Sequence, residues 1–197
     1  MELEEMKSIW GELSGKVESQ EKIKKEELMK MTRKKYQNSL GKIYFPEILG
    51  SIISFIYAGY FITQFGNLQL PINQAFAAFN TLIMIILPTI SLVTLYRMNS
   101  LDIVSQSPLE VLQKFKKNKV FYRNFQKVAL MLSGLFAITV LPPLAELLGK
   151  ADMVSNTKFW IVYVPIGLIC VYIFGSWAFR KYDRALEKAQ ELLEGIE

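Results

Sequence analysis

Four long apolar runs, separated by charged stretches, constrain this 197-residue chain more than any other feature. The first, Ile43 to Phe65, carries a single charge, Glu47, and the second, from about Ile72 to Tyr96, carries none and contains Pro88. The third, from about Val128 to Leu148, holds Pro142, Pro143 and Glu146, and the fourth, Phe159 to Phe179, holds Pro165 and no charge. At a rise of about 1.5 Å per residue, each run is long enough to cross a hydrocarbon layer roughly 30 Å thick. The expected fold class is an all-α integral membrane protein, with four transmembrane helices arranged as two hairpins. A cleaved secretory signal is not expected, because 42 mostly polar residues precede the first run in place of a short basic segment.

Charge orients the spans. Lys and Arg number 10 in residues 1–42, none in the turn near 66–71, 7 in 97–127, 2 in 149–158 and 4 in 180–197. The positive-inside bias then places both termini and the central loop in the cytoplasm, with two short loops outside. The predicted organisation is a cytoplasmic amphipathic helical arm (1–42), a first transmembrane hairpin (43–96), a basic cytoplasmic helical arm (97–127), a second transmembrane hairpin (128–179) and a cytoplasmic helical tail (180–197). Trp160 and Tyr163 would mark the outer boundary of the fourth span, and Trp177 with Tyr182 the inner one. The expected location is the bacterial inner (cytoplasmic) membrane, multi-pass, with the lipid bilayer as first partner.

The polar segments read as helices, because Glu, Lys, Leu and Met are common there while Pro and Gly are sparse. In the first arm Leu3, Met6, Ile9 or Trp10, Leu13 and Val17 recur at spacings of three and four, forming one apolar stripe that Gly11 and Gly15 weaken. A second helical stretch from about Lys24 can run straight into the first span, with Gly41 and Pro46 as candidate bends. Ser107, Pro108 and Glu110 form a helix start, with Leu112, Phe115, Tyr122 and Phe125 near one face. Tyr182, Leu186, Ala189, Leu193 and Ile196 repeat the pattern in the tail.

Composition excludes most familiar chemistry. The chain has no His and one Cys, so a His-based triad, a Cys/His metal site and an intrachain disulfide are ruled out. No catalytic, cofactor-binding or metal-binding residue is nominated, no cofactor is expected, and the chain reads as non-enzymatic. Glu47 and Glu146 each lie about one turn from a membrane boundary, where either can reach the interface, so they are weak candidates for an ion or proton path. Pro88, Pro142, Pro143 and Pro165 read as kinks satisfied by neighbouring helices. Gly50, Ser54 and Ala58 read as a small-residue packing stripe, and Cys170 as an apolar filler.

The most informative feature is a charge split in the first arm. Residues 1–21 carry net −4 and residues 22–42 net +6. The basic half suits anionic head groups. The acidic half, with its apolar stripe, suits either the chain's own basic central arm or a groove on a basic protein, with Trp10 as anchor.

The segments LEEMKSIWGELSGKVESQEKI, YFPEILGSIISFI, ILPTISLVTLYRMNSLDI and FKKNKVFYRNFQK together resemble a family of uncharacterised small four-span inner-membrane proteins of Bacteroidetes-type bacteria. Members of that family look like neighbours of extracytoplasmic-function sigma factors, and so like membrane-bound anti-sigma factors. The resemblance implies a helical clasp in which Leu3, Met6, Ile9, Trp10, Leu13 and Val17 grip a cytoplasmic sigma factor. Glu4, Glu5 and Glu12 would then face its basic surface, with no direct nucleic-acid contact by this chain. The leading expectation is a regulatory binding protein of this kind. Its rivals are an oligomeric channel or small transporter built on the kinked spans, a homo-oligomer joined through its arms, and a membrane scaffold.

Overall fold

The computed structural model describes residues 3–103, 106–149 and 152–195. Among them the chain is all-helical. Helix α1 spans Leu3–Gln64 and ends in a 3-10 turn, Phe65–Asn67. Helix α2 spans Pro71–Asn99, α3 Pro108–Thr139, α4 Leu141–Leu147, and α5 Val164–Glu194, the last preceded by a π-helical turn at Phe159–Tyr163. Four helical segments are long and apolar enough to cross a membrane. α1 packs on α2 and α5, and α3 packs on the same two, giving a four-membered ring. The end carrying α1's beginning, α5's end and the α2–α3 loop is called here the near end, and the opposite one the far end.

The near end holds the larger core. Tyr36, Leu40 and Ile43 of α1 meet Leu95 and Met98 of α2, Leu112, Phe115 and Tyr122 of α3, and Leu186, Ala189 and Leu193 of α5. These residues recur at three and four, so each helix turns one stripe inward. Tyr36 stands edge-on to Phe115, with ring centroids 5.8 Å apart, and its hydroxyl donates to the Met98 carbonyl at 2.6 Å. Ser39 donates to the Ala185 carbonyl, and Lys119 to Gln190 Oε1. Lys116 pairs with Glu194, whose carboxyl is held below the usual range by the Gln190 amide and then by Lys116. The predicted start of α3 is present, with the Ser107 hydroxyl accepting from the Glu110 N–H.

Three features depart from expectation. α1 is one uninterrupted helix of 62 residues, the arm's two expected stretches and the first span running on without a break through Gly41 and Pro46. Packing of Tyr36, Leu40 and Ile43 on both neighbours carries the helix through those positions. The third apolar run is instead two helices, because Pro142 and Pro143 cannot donate to the carbonyls one turn back. Asn80 supplies a donor: its amide reaches the Thr139 carbonyl at 2.9 Å, while the Thr139 hydroxyl donates to Asn80 Oδ1 at 2.8 Å. Cys170 is exposed on the bundle surface and fills no core position.

Candidate functional site

Two places concentrate features that packing leaves unexplained. One is the projecting part of α1. Its first buried residue is Tyr36 among those whose side chains are described, with Met29 and Thr32 partly buried before it, so the helix up to about residue 28 projects by roughly 40 Å at about 1.5 Å per residue. On this projection Trp10 is 76%, Leu13 56% and Val17 51% exposed, and together with Ser14, Glu18 and Glu21 they form one continuous surface. Ile23, Leu28 and Met31 are exposed further along. Leu3, Met6, Ile9, Glu4, Glu5 and Glu12 also belong to the predicted binding face, but their side chains lie outside those described. Helix geometry does bring Trp10, Leu13 and Val17 onto one face. Among the described side chains of that face, Trp10, Leu13 and Val17 are not covered by the basic arm of α3.

The second place is a cavity of about 480 Å³ at the centre of the ring, to which all four long helices contribute. Its polar lining comes from Glu47, Ser51 and Ser54 of α1, Ser91 of α2, Gln126 and Ser133 of α3, and Tyr182 of α5. Phe125, Phe136, Phe179, Met84 and Leu130 supply much of the apolar wall. Glu47 is the one charged residue in this lining. The Ser91 hydroxyl donates to Glu47 Oε2 at 2.7 Å, and the Tyr182 hydroxyl also bonds to this carboxylate. Tyr122, fully buried behind this lining, sets its hydroxyl within hydrogen-bonding reach of Ser91 and Gln126.

Local sequence explains the opening. Pro46 and Pro88 both line it, and each deprives the carbonyl four residues earlier, of Lys42 and Met84, of its helical donor. Gly50 has no neighbour within 4 Å of where a Cβ would stand, so the Gly50, Ser54, Ala58 stripe opens space at its first position and packs only at its last. By contrast, a Cβ at Gly175 would collide with the Leu130 side chain, which is where α3 and α5 come closest. The far end is closed by Ala58, Phe61, Leu68, Ala77 and Met84 with Phe136, Val140, Leu144 and Leu147. The near-end core lies on the other side.

The two glutamates have separate roles. Glu146 accepts from the backbone N–H groups of Gln69 and Leu70, at 2.6 and 3.1 Å, and from the Asn73 amide at 2.6 Å. It thereby ties α4 to the start of α2, where the helix dipole favours an anion. Glu47 instead turns inward, away from the interface it was expected to reach, because Ser91 and Tyr182 offer hydroxyls there. Tyr182 accordingly sits in the cavity wall, while Trp177 is exposed beneath the Lys181 ammonium at 5.0 Å. Sequence reasoning missed the cavity, although Glu47, Ser51 and Ser54 at spacings of four and three did mark a polar face within an apolar run. Among the described residues no three Cys, Asp or Glu side chains converge as metal ligands would. No family model, curated protein or solved structure matches this chain.

Proposed function

We propose that this chain is a non-enzymatic, multi-pass protein of a bacterial inner membrane, with both termini and the α2–α3 loop in the cytoplasm, and that the start of α1 binds a basic, grooved cytoplasmic protein. The observation that carries the reading is the exposure of Trp10, Leu13 and Val17 on a helix held away from the bundle by the Tyr36–Ile43 packing. A helix with an apolar stripe and no partner gains little from folding in water, since most helical stability comes from burying that face. Trp is also the residue type richest in interface hot spots. The charge split of the arm favours a different protein over a second copy. Two arms rising side by side from one membrane run parallel, which sets the −4 segment against its twin and the +6 segment against its own. A basic partner meets the acidic segment instead. A sigma factor, the partner the family resemblance implies, has that chemistry.

The test is co-purification of the full-length protein from its native membrane in mild detergent, beside Trp10→Ala and a deletion of residues 2–17. The expected outcome is one basic cytoplasmic protein recovered near stoichiometry with the wild type, and at least tenfold less with either variant, corresponding to a lost hot spot. Equal recovery with all three would refute the assignment. If the partner is a sigma factor, expression of its target genes rises in the deletion strain.

A further inference from the structure

We propose that the central cavity binds a ligand made of an ammonium group on an apolar body, with the ammonium at Glu47. This is independent of the arm and its partner. A volume of about 480 Å³ is far more than a bare ion or a single water needs, water occupying roughly 30 Å³ in the liquid, and it falls within the range of small-molecule sites. The lining carries one formal charge, Glu47, and the groups bonded to it are hydroxyls, from Ser91 and Tyr182. A carboxylate in such surroundings favours a cation brought in by the ligand.

An ammonium with N–H groups adds donors to the Glu47 oxygens beside Ser91 and Tyr182, whereas a quaternary ammonium lacks the donors and an alcohol lacks the charge. Phe136 and Met84 offer the apolar body a dry wall further into the bundle. Such a group occurs both in free amines and in the headgroup of an aminophospholipid.

The two sources separate in one experiment. Full-length protein is placed in nanodiscs of phosphatidylglycerol alone and titrated with tritiated 2-phenylethylamine, with 2-phenylethanol as the uncharged counterpart. Expected is saturable binding of the amine, weakened about tenfold or more by Glu47→Gln, largely kept by Glu47→Asp, and unchanged by Glu187→Gln on the exposed tail. The alcohol should bind at least about tenfold more weakly. Adding phosphatidylethanolamine to the nanodiscs then reads the source. Suppression of amine binding, with phosphatidylethanolamine retained in native mass spectra of wild type but not of Glu47→Gln, identifies the lipid headgroup. Undiminished amine binding identifies a free amine. Binding indifferent to Glu47→Gln, equal binding of the alcohol, or neither amine binding nor lipid retention by the folded protein overturns the proposal.

Discussion

α1 obeys opposite rules on the two sides of Glu47. Between Tyr36 and Ile43 the large apolar side chains point inward and the charged ones outward. Between Gly50 and Phe65 most large apolar side chains, among them Ile52, Ile53, Phe55, Ile56 and Ile62, point outward, while Ser51, Ser54 and Ala58 face inward. α5 repeats the inversion, with Leu186, Ala189 and Leu193 buried and Ile166, Ile169, Ile173 and Phe174 exposed. Water drives apolar groups into a core, whereas lipid is as apolar as leucine and drives nothing inward, so inner positions can hold small and polar groups. With the proposed membrane placement, the boundary between two solvents is written in which way the side chains face, and the cavity opens where the hydrophobic drive stops.

This contrast predicts unequal responses to the same truncation. Phe115→Ala, in the near-end core at 0% exposure, should lower the stability of the protein in nanodiscs by about 3–5 kcal/mol, measured by denaturant unfolding followed by circular dichroism. Ile173→Ala, 59% exposed on the surface proposed to face lipid, should change it by less than about 0.5 kcal/mol in the same assay. Similar losses at both sites would break the comparison. At the far end, Glu146→Ala frees two backbone N–H groups and the Asn73 amide, and should reduce stability by about 1–2 kcal/mol, with earlier hydrogen exchange at Gln69 and Leu70. Smaller than the loss at Glu146 is that of Tyr36→Phe. It removes the 2.6 Å bond to the Met98 carbonyl while keeping the ring against Phe115, and about 1 kcal/mol should be lost. A loss as large as that of Phe115→Ala would mean that hydrogen bonding and not burial holds this end together.

Part of this was readable before any tertiary contact was known. The Ser107 cap follows from residues three apart on one strand of chain, and the Leu186, Ala189, Leu193 stripe from helical period alone. Trp10, Leu13 and Val17 fall on one face for the same reason. Glu47 and Glu146 illustrate the limit. Each is an acid near one end of an apolar run, and position along the helix says nothing about rotation around it. Rotation turns Glu47 toward Ser91 and Tyr182, residues 44 positions and more than a hundred positions away, and brings Glu146 to the start of α2. The turn of Tyr182 toward the cavity was not legible either, because an aromatic residue at a span end has the same sequence signature whether it faces lipid or the bundle.

By itself the sequence determined the helices, the four apolar stretches, the charge split of the first arm and the exclusion of His and disulfide chemistry. These follow from composition and period, properties of a chain read in one dimension. Tertiary structure alone decided that the near-end stripes share one core, that Asn80 meets the carbonyl left open by Pro143, and that Trp10, Leu13 and Val17 stay exposed. It also decided that a cavity forms around Glu47. Those outcomes depend on how helices are rotated and spaced against one another, and that choice is made jointly by all four, through contacts between residues far apart in the chain.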